Sequence, residues 1–270
     1  MQILLGLLLG VLIGTLAYRA GALSASGAWA AALTGGLIFG LGGLPWAVLL
    51  LTFFVSSSAL SRAFTSRKAA LGDKFSKSSR RDHGQVLANG GLGALLAVTS
   101  ALLPEALWPW VAFAGAMAAV IADTWATELG VLSPIPPRLI TSGKTVERGT
   151  SGGVTLVGYL AALGGAALVG LGAILFSPGV PAIPMMGAVL LAGLAGSTFD
   201  SFLGATAQAI YYCPACKKET ERHPLHRCGT ETVQVRGWRW LNNDLVNFAC
   251  SLAGASVAVA ALLAARPLFF

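Results

Sequence analysis

The chain has 270 residues, of which 55% are hydrophobic and only 11% are charged, and its mean hydropathy is +0.73. Soluble chains carry about 25% charged residues, so this composition excludes an ordinary soluble domain, a disordered segment and a secreted disulfide scaffold. Its 34 glycines are spread along the chain, as is typical of closely packed membrane helices. We therefore expect an all-α fold, a polytopic membrane helical bundle that forms one integral membrane domain over residues 1–270.

A membrane-spanning helix needs about 20 mainly apolar residues, and the chain contains about eight segments of that kind. In chain order the predicted spans are 3–17, 28–44, 45–60, 86–103, 107–121, 154–176, 183–202 and 246–264. No basic residue precedes the first span and no small-residue cleavage motif follows it, which favours an anchor helix over a cleaved signal peptide.

The basic residues predict the orientation of these spans. All but one of the 18 Lys and Arg residues fall in the connections after spans one, three, five and seven, and Arg266 is the exception. Basic residues favour cytoplasmic loops, so we expect a multi-pass protein of the cell (inner) membrane with both termini outside. We interpret the basic segment 62–81 as a solvated loop that sets topology and touches anionic lipid. The basic residues lack interleaved aromatics, so no nucleic-acid partner is expected.

Polar and small residues recur in five short stretches where the long polar connections meet the spans. These stretches lie at one predicted side of the membrane and therefore at a similar depth. Their positions are 83–91, 122–130, 141–153, 196–204 and 242–247.

Four carboxylates in these stretches are candidate metal ligands and catalytic residues: Asp123, Glu128, Asp200 and Asp244. Apolar sequence flanks Asp200 on both sides, and a charge inside a span costs about 2.5–3.5 kcal/mol and usually faces a polar interior. Asp123 and Glu128 would lie about 140° apart on a continuous helix, so joint ligation needs a helix break or a second helix. A solvated helix end is the alternative for each of Asp123, Glu128 and Asp244.

The stretch before span six predicts a site for phosphate groups. Glycines let the backbone approach an anion, a helix N-terminus presents free N–H groups, and Lys144 and Arg148 add positive charge. It is not a Walker A loop, because no glycine lies five positions before Gly143. A flexible turn capped by Thr150 or Ser151 is the alternative. The predicted phosphate-binding residues here are Ser142, Gly143, Lys144, Thr145, Arg148, Thr150, Ser151, Gly152 and Gly153.

A cysteine-rich connection over 209–241, between the last two spans, predicts a structural zinc site. Cys213, Cys216 and Cys228, with His226 or alternatively His223, supply the four ligands of a closed tetrahedral site. A disulfide is not expected in a cytoplasmic loop. Reduced thiols without a metal are the alternative.

Five motifs of the chain, VLANGG at 86–91, ADTWATELG at 122–130, GTSGGV at 149–154, GSTFDSFLGA at 196–205 and NNDLVN at 242–247, resemble the domain-of-unknown-function-92 family. That family includes transmembrane protein 19 and a plant phytyl-phosphate kinase. The resemblance implies a membrane enzyme that transfers a phosphoryl group from a nucleoside triphosphate, CTP in the plant case, to an isoprenoid lipid monophosphate.

This chemistry suits the residues. Asp123, Asp200 and Asp244, with Glu128 as a further candidate ligand, would hold Mg²⁺, a hard ion that prefers carboxylate and phosphate oxygens. Lys144 and Arg148 would bind phosphate oxygens, while Asn89, Ser197, Asn243 and Asn247 would bind phosphates or metal-bound waters. Two alternatives remain open: nucleotidyl transfer to a lipid phosphate, which needs the same residues, and ion or metabolite transport.

Overall fold

A computed structural model describes residues 1–63, 80–177 and 180–269. Within these residues, seven helices are long and apolar enough to cross a membrane. They are α1 (Gln2–Arg19), α2 (Ala25–Ala63), α3 (His83–Leu102), α4 (Trp108–Gly130), α5 (Leu156–Leu175), α6 (Ala182–Thr206) and α7 (Asn243–Phe269).

Helix α2 is 39 residues long and contains both the second and the third predicted span. Its backbone leaves the helical region at Gly43, where φ is +75°, and Pro45 follows. A Cβ atom added at Gly35 would lie 3.8 Å from Cδ2 of Leu50, although 15 residues of straight helix are about 22 Å long. The helix therefore folds back at Gly43. The predicted bundle of about eight transmembrane segments is confirmed in this form, as seven helices of which one is a hairpin.

The core of the bundle is formed around α4. All of its residues from Pro109 to Ala122 are buried, and small side chains allow the neighbouring helices to approach closely. A Cβ atom added at Gly115 would lie 2.6 Å from the carbonyl oxygen of Gly254 on α7. Because α4 is the central helix, the polar residues at its C-terminal end lie near the axis of the bundle, at one of its two ends.

One end of the bundle is closed by aromatic side chains. The rings of Trp46 and Phe113 stack with centroids 4.4 Å apart, and Trp110 lies beside both. The indole N–H of Trp110 donates a hydrogen bond of 2.6 Å to the hydroxyl of Ser177. At the opposite end, which we call the loop-rich end, helices α2, α4 and α6 finish and α3, α5 and α7 begin.

Two small antiparallel sheets, which the sequence pattern did not predict, lie in the connections of the loop-rich end. Strands β1 (Arg138–Leu139) and β2 (Gly153–Val154) pair between α4 and α5. Strands β3 (Ile210–Cys213), β4 (Lys218–Thr220) and β5 (Val233–Arg236) form a sheet of order β4-β3-β5 between α6 and α7. We call residues 209–241 the Cys-rich insert.

The predicted basic loop over 62–81 lies mostly outside the described residues. The basic residues at its two ends form hydrogen bonds with α2 and with the connection between α1 and α2. The guanidinium of Arg62 donates to the carbonyl oxygen of Ala20. Arg80 Nε donates to the carbonyl oxygen of Leu23 at 2.9 Å, and Arg81 Nη1 donates to the hydroxyl of Ser58 at 3.2 Å. These contacts attach both ends of the connection to the α1–α2 hairpin.

Candidate active site

A cavity of about 610 Å³ lies at the loop-rich end, where six helix ends meet. Its walls are the last turns of α2, α4 and α6, the first turns of α3, α5 and α7, and parts of the connections between them. The structure brings many of the predicted site residues to these walls. They are Asn89, Asp123, Glu128, Arg148, Thr150, Ser151, Gly152, Gly153, Ser197, Asp200, Asn243 and Asn247.

The structure divides the predicted phosphate-binding stretch into two parts. Residues 148–153, which we call the glycine loop, line the cavity. Residues 142–145 form an exposed turn, in which the backbone N–H groups of Ser142 and Gly143 both donate to the carbonyl oxygen of Leu139. Among the described residues that line the cavity, Ser142, Gly143, Lys144 and Thr145 do not occur. Their turn closes on itself through these bonds.

Asp244 is also absent from the described lining of the cavity, although its neighbours Asn243 and Asn247 are present. Residues four apart share one face of a helix, whereas adjacent residues are turned by about 100°. The first turn of α7 therefore presents Asn243 and Asn247 to the cavity and turns Asp244 aside.

Asp200 is the carboxylate whose environment most clearly favours a bound cation or hydrogen-bond donor. Its Oδ2 atom is buried without a hydrogen-bond partner, and Asp123 and Glu221 are near enough to act on it electrostatically. Leaving a buried acceptor unsatisfied costs about 1–3 kcal/mol, which a bound cation or donor would remove.

Glu128 is held differently. Its Oε1 accepts a hydrogen bond of 2.7 Å from Ser61 at the end of α2. Asp123 and Glu128 both line the cavity from one continuous helix. Nearby, burial lowers the pKa of Arg81 to about 10 although the negative charge of Glu128 raises it. Arg81, which also lines the cavity, is therefore a cation at neutral pH.

The glycine loop lies directly against the end of α6. Gly152 has a φ of +83°, and a Cβ atom added there would lie 2.6 Å from the backbone nitrogen of Ala205. Arg148, the first residue of the glycine loop, is held just beyond the end of α4, since its Nη2 donates to the carbonyl oxygen of Ser133 at 2.6 Å. Helix α5 is capped by Thr155, which accepts from the N–H of Gly158 at 3.0 Å. The expected alternative of a cap at Thr150 or Ser151 is therefore wrong.

Several lining residues were not anticipated from the sequence. The most informative come from the Cys-rich insert: Glu221, Arg222 and Arg227. The Nε atom of Arg222 is buried and has no hydrogen-bond partner. The insert begins just after α6, which carries Asp200, and ends just before α7, which carries Asn243. That placement was the signal that it returns to the cavity.

The insert gathers four potential metal ligands. The ligand atoms of Cys213, Cys216, His226 and Cys228 all lie within 4.8 Å of one another. The Sγ atoms of Cys213 and Cys228 are 3.6 Å apart, and His226 Nδ1 lies 3.2 Å from Cys228 Sγ. His223 instead stacks on Tyr211, with ring centroids 4.5 Å apart. The structure thus selects His226 over His223 for a cluster that could bind a metal.

Hydrogen bonding within this cluster differentiates the thiols. Hydrogen bonds with Thr230 and His226 lower the pKa of Cys228 to about 5. A hydrogen bond with Cys228 and burial raise the pKa of Cys216 to about 11. The cluster therefore offers a thiolate, the form that binds metals. The remaining cysteine, Cys250, is buried in α7 and outside the cluster.

Comparison with known proteins gives a consistent family assignment. A family model described as integral membrane protein DUF92 matches residues 8–255. Protein PGR of Arabidopsis thaliana is 32% identical over 269 residues, covering 92% of this chain and 91% of that protein. An uncharacterized membrane protein of Methanocaldococcus jannaschii, MJ0933, is 37% identical over 164 residues, covering 60% of this chain and 65% of that protein. Protein VTE6, chloroplastic, of Arabidopsis thaliana is 28% identical over 242 residues, covering 88% of this chain and 64% of that protein. No solved structure matches the chain.

Proposed function

The chain belongs to the integral membrane protein DUF92 family, and we propose that it is a membrane-embedded kinase. In this proposal it transfers a phosphoryl group from a nucleoside triphosphate, with CTP as the donor, to a prenyl monophosphate such as phytyl phosphate. The product is the corresponding prenyl diphosphate. The resemblance of its five motifs to a family that includes a phytyl-phosphate kinase supports this reaction.

The observation that carries the proposal is a pair of unsatisfied polar atoms in one cavity. Asp200 offers a buried oxygen without a donor, and Arg222 offers a buried N–H without an acceptor. A phosphate accompanied by a divalent cation satisfies both, because the cation binds carboxylate and the phosphate oxygens accept from guanidinium. Phosphoryl transfer depends mainly on alignment and charge neutralisation of this kind.

The residues present fit Mg²⁺. Asp123 and Asp200 supply hard oxygen ligands, and few carboxylates are needed because Mg²⁺ usually completes its shell with water and substrate phosphates. When bound, the ion would neutralise charge on the phosphates. Arg148, Arg222 and Arg227 would bind phosphate oxygens, and the backbone of the glycine loop would approach them closely. Asn89, Ser197, Asn243 and Asn247 would donate or accept hydrogen bonds that fix the orientation of the two substrates.

The acceptor needs no general base in this reaction. A phosphate monoester has a second pKa of about 6 and is largely dianionic at neutral pH. The chain's own task is then to hold two anionic groups side by side and to exclude water.

The proposed orientation follows from the distribution of the basic residues. We place the protein in the cell (inner) membrane, with the cavity open to the cytoplasm and both termini outside. Soluble nucleotide would enter from the cytoplasm. The isoprenoid tail would remain among the helices of the bundle, with its phosphate at the membrane surface.

We further propose Zn²⁺ as the metal of the cysteine cluster. Two thiolates at about 2.3 Å from one zinc are about 3.8 Å apart in a tetrahedral site, close to the 3.6 Å between Cys213 and Cys228. Three cysteines and His226 leave no open coordination position. The ion would therefore be structural and take no part in the transfer.

A transfer assay tests the proposed function. Protein purified in lipid nanodiscs is incubated with Mg²⁺, labelled CTP and phytyl phosphate, and the lipid products are separated. We expect a prenyl diphosphate as the product. For Asp200→Asn, we expect the rate of transfer to fall at least about 100-fold. Glu105→Gln, in the exposed turn between α3 and α4, is the matched control and should transfer normally.

Three outcomes contradict the kinase proposal. The first is an absence of transfer from any of several nucleotides to prenyl phosphates of several lengths. The second is a lipid product that carries the nucleoside, which indicates nucleotidyl transfer. The third is a flux of solute into liposomes that depends on Asp200 without any lipid product, which indicates transport.

A further inference from the structure

In the Cys-rich insert, the residues of the metal-ligand cluster and the residues that line the cavity are close neighbours along the chain. Arg227 lies between the two cluster residues His226 and Cys228. Glu221 and Arg222 directly follow β4, the strand that pairs with the cysteine-bearing strand β3. Whatever fixes the cluster therefore also fixes three side chains of the cavity wall.

Glu221 connects the insert to the rest of the site. Its Oε1 accepts a hydrogen bond of 2.9 Å from Gln208, just beyond α6. The same oxygen lies 3.3 Å from the hydroxyl of Ser151 in the glycine loop, which donates to it. The carboxylate of Glu221 thus joins the insert, the end of α6 and the glycine loop.

Apart from Cys213, the buried apolar residues of the insert lie on β3 and at its two ends: Ala209, Ile210, Tyr211 and Leu241. Its strands are three or four residues long, and Val233 and Val235 on β5 are more than half exposed. Short sheets of this size are not stable without packing or a staple. His226 is also buried, and its Nε2 atom has no hydrogen-bond partner. A metal at the cluster would supply such a staple.

The backbone around the cluster is already ordered for that role. The N–H of Gly229 donates to the carbonyl oxygen of His226, and the N–H of His226 donates to that of Thr230, both at 2.9 Å. The carbonyl oxygen of Arg222 accepts from the hydroxyl of Thr232 at 3.0 Å. These bonds transmit the position of the cluster to Arg222 and Arg227 within a few residues.

We infer that a metal ion held by Cys213, Cys216, His226 and Cys228 assembles one wall of the cavity. It fixes Glu221 against Ser151 and orders the glycine loop, and it directs Arg222 and Arg227 towards the phosphate-binding space. The nature of that space rests on the proposed function, whereas the coupling between the metal and the glycine loop does not.

Metal content and hydrogen–deuterium exchange test this inference on the full chain without any measurement of catalysis. We expect about one zinc per chain in the wild type and in Cys250→Ala, which removes the cysteine outside the cluster, and loss of zinc in Cys216→Ser. In Cys216→Ser, exchange should quicken at least about tenfold both in 208–236 and in 149–153, with α4 unchanged. Glu221→Gln should retain zinc but quicken exchange in 149–153.

A chelation arm keeps the test decisive if Cys216→Ser fails to fold. Wild-type protein stripped with a zinc chelator should show the same two faster regions and recover on addition of Zn²⁺. Absence of metal from the wild type, or loss of zinc that leaves 149–153 unchanged, overturns the inference. A wild type that holds zinc and shows the coupling but transfers no phosphate would instead remove only the proposed kinase activity.

Discussion

Ser151 donates a hydrogen bond of 3.3 Å to Glu221, a residue 70 positions later in the chain. The bond joins the glycine loop, which precedes α5, to the Cys-rich insert, which follows α6. Both segments lie outside the membrane helices, yet both line the cavity that contains Asp123 and Asp200. The walls of the site are therefore built jointly by helix ends and by connections that hydrogen-bond to each other.

The close contact between Gly152 and α6 predicts that Gly152→Ala damages the site. The new Cβ would lie 2.6 Å from the backbone nitrogen of Ala205, and φ is +83°, so the glycine loop must move. We expect binding of Mg²⁺ and CTP, measured by calorimetry, to weaken at least about tenfold. Gly143→Ala is the control, because it has a similar φ of +67° but no atom within 4 Å of its added Cβ. Equal effects of the two substitutions would refute the contact argument.

The division of the predicted phosphate-binding stretch gives opposite expectations for its two cations. Arg148 lines the cavity, whereas Lys144 lies in the exposed turn and is not among the described lining residues. We expect Arg148→Ala to weaken CTP binding by about 1.5–3 kcal/mol, the usual size of a hydrogen bond to a charged group. Lys144→Ala should weaken it by less than about 1 kcal/mol. The reverse order would return the phosphate site to the turn at 142–145.

The unsatisfied Nε of Arg222 predicts a direct role in anion binding. Arg222→Gln should raise the dissociation constant for CTP by about 10- to 100-fold, since a charge-assisted hydrogen bond is lost. Zinc content should stay unchanged, because Arg222 is not a ligand of the cluster. Arg239→Gln, an exposed arginine of the same insert, is the matched control. Binding that is equally weakened in both variants would point to general charge and not to a specific contact.

The close approach of α4 to α7 predicts that a larger residue at their contact lowers the stability of the bundle. In Gly254→Ala the added Cβ would lie 2.6 Å from the carbonyl oxygen of Gly115. Overpacking of this kind costs about 1–3 kcal/mol, so the Tm in detergent should fall. Gly187→Ala should leave the Tm unchanged or raise it, because nothing lies within 4 Å of its Cβ. A Tm that is insensitive to Gly254→Ala would contradict the described crossing of the two helices.

Much of the fold could be predicted because membrane spans follow from local apolar length alone. The boundary between the second and third predicted spans matches the turn in α2, where Gly43 leaves the helical region and Pro45 follows. The grouping of Asp123, Asp200 and Asn243 at one end was also predictable, since alternating spans bring every second connection to the same side.

The remainder of the site depends on information that spacing does not contain. The exclusion of Asp244 from the cavity lining depends on the rotation of α7, which packs against both α4 and α6. The separation of Lys144 from Arg148 depends on a turn that folds back to Leu139. The participation of Glu221 and Arg222 depends on long-range contacts of an insert whose own sequence indicated only a metal cluster.

The most direct test of the proposed reaction follows the position of the label in CTP. Wild-type protein and Asp200→Asn are incubated with Mg²⁺, phytyl phosphate and CTP labelled at either the γ- or the α-phosphate. Phosphoryl transfer predicts γ-label in the lipid diphosphate, no α-label in any lipid, and loss of the γ-labelled product in Asp200→Asn. Label from the α-phosphate in the lipid, or no labelled lipid from either nucleotide, would contradict a prenyl-phosphate kinase.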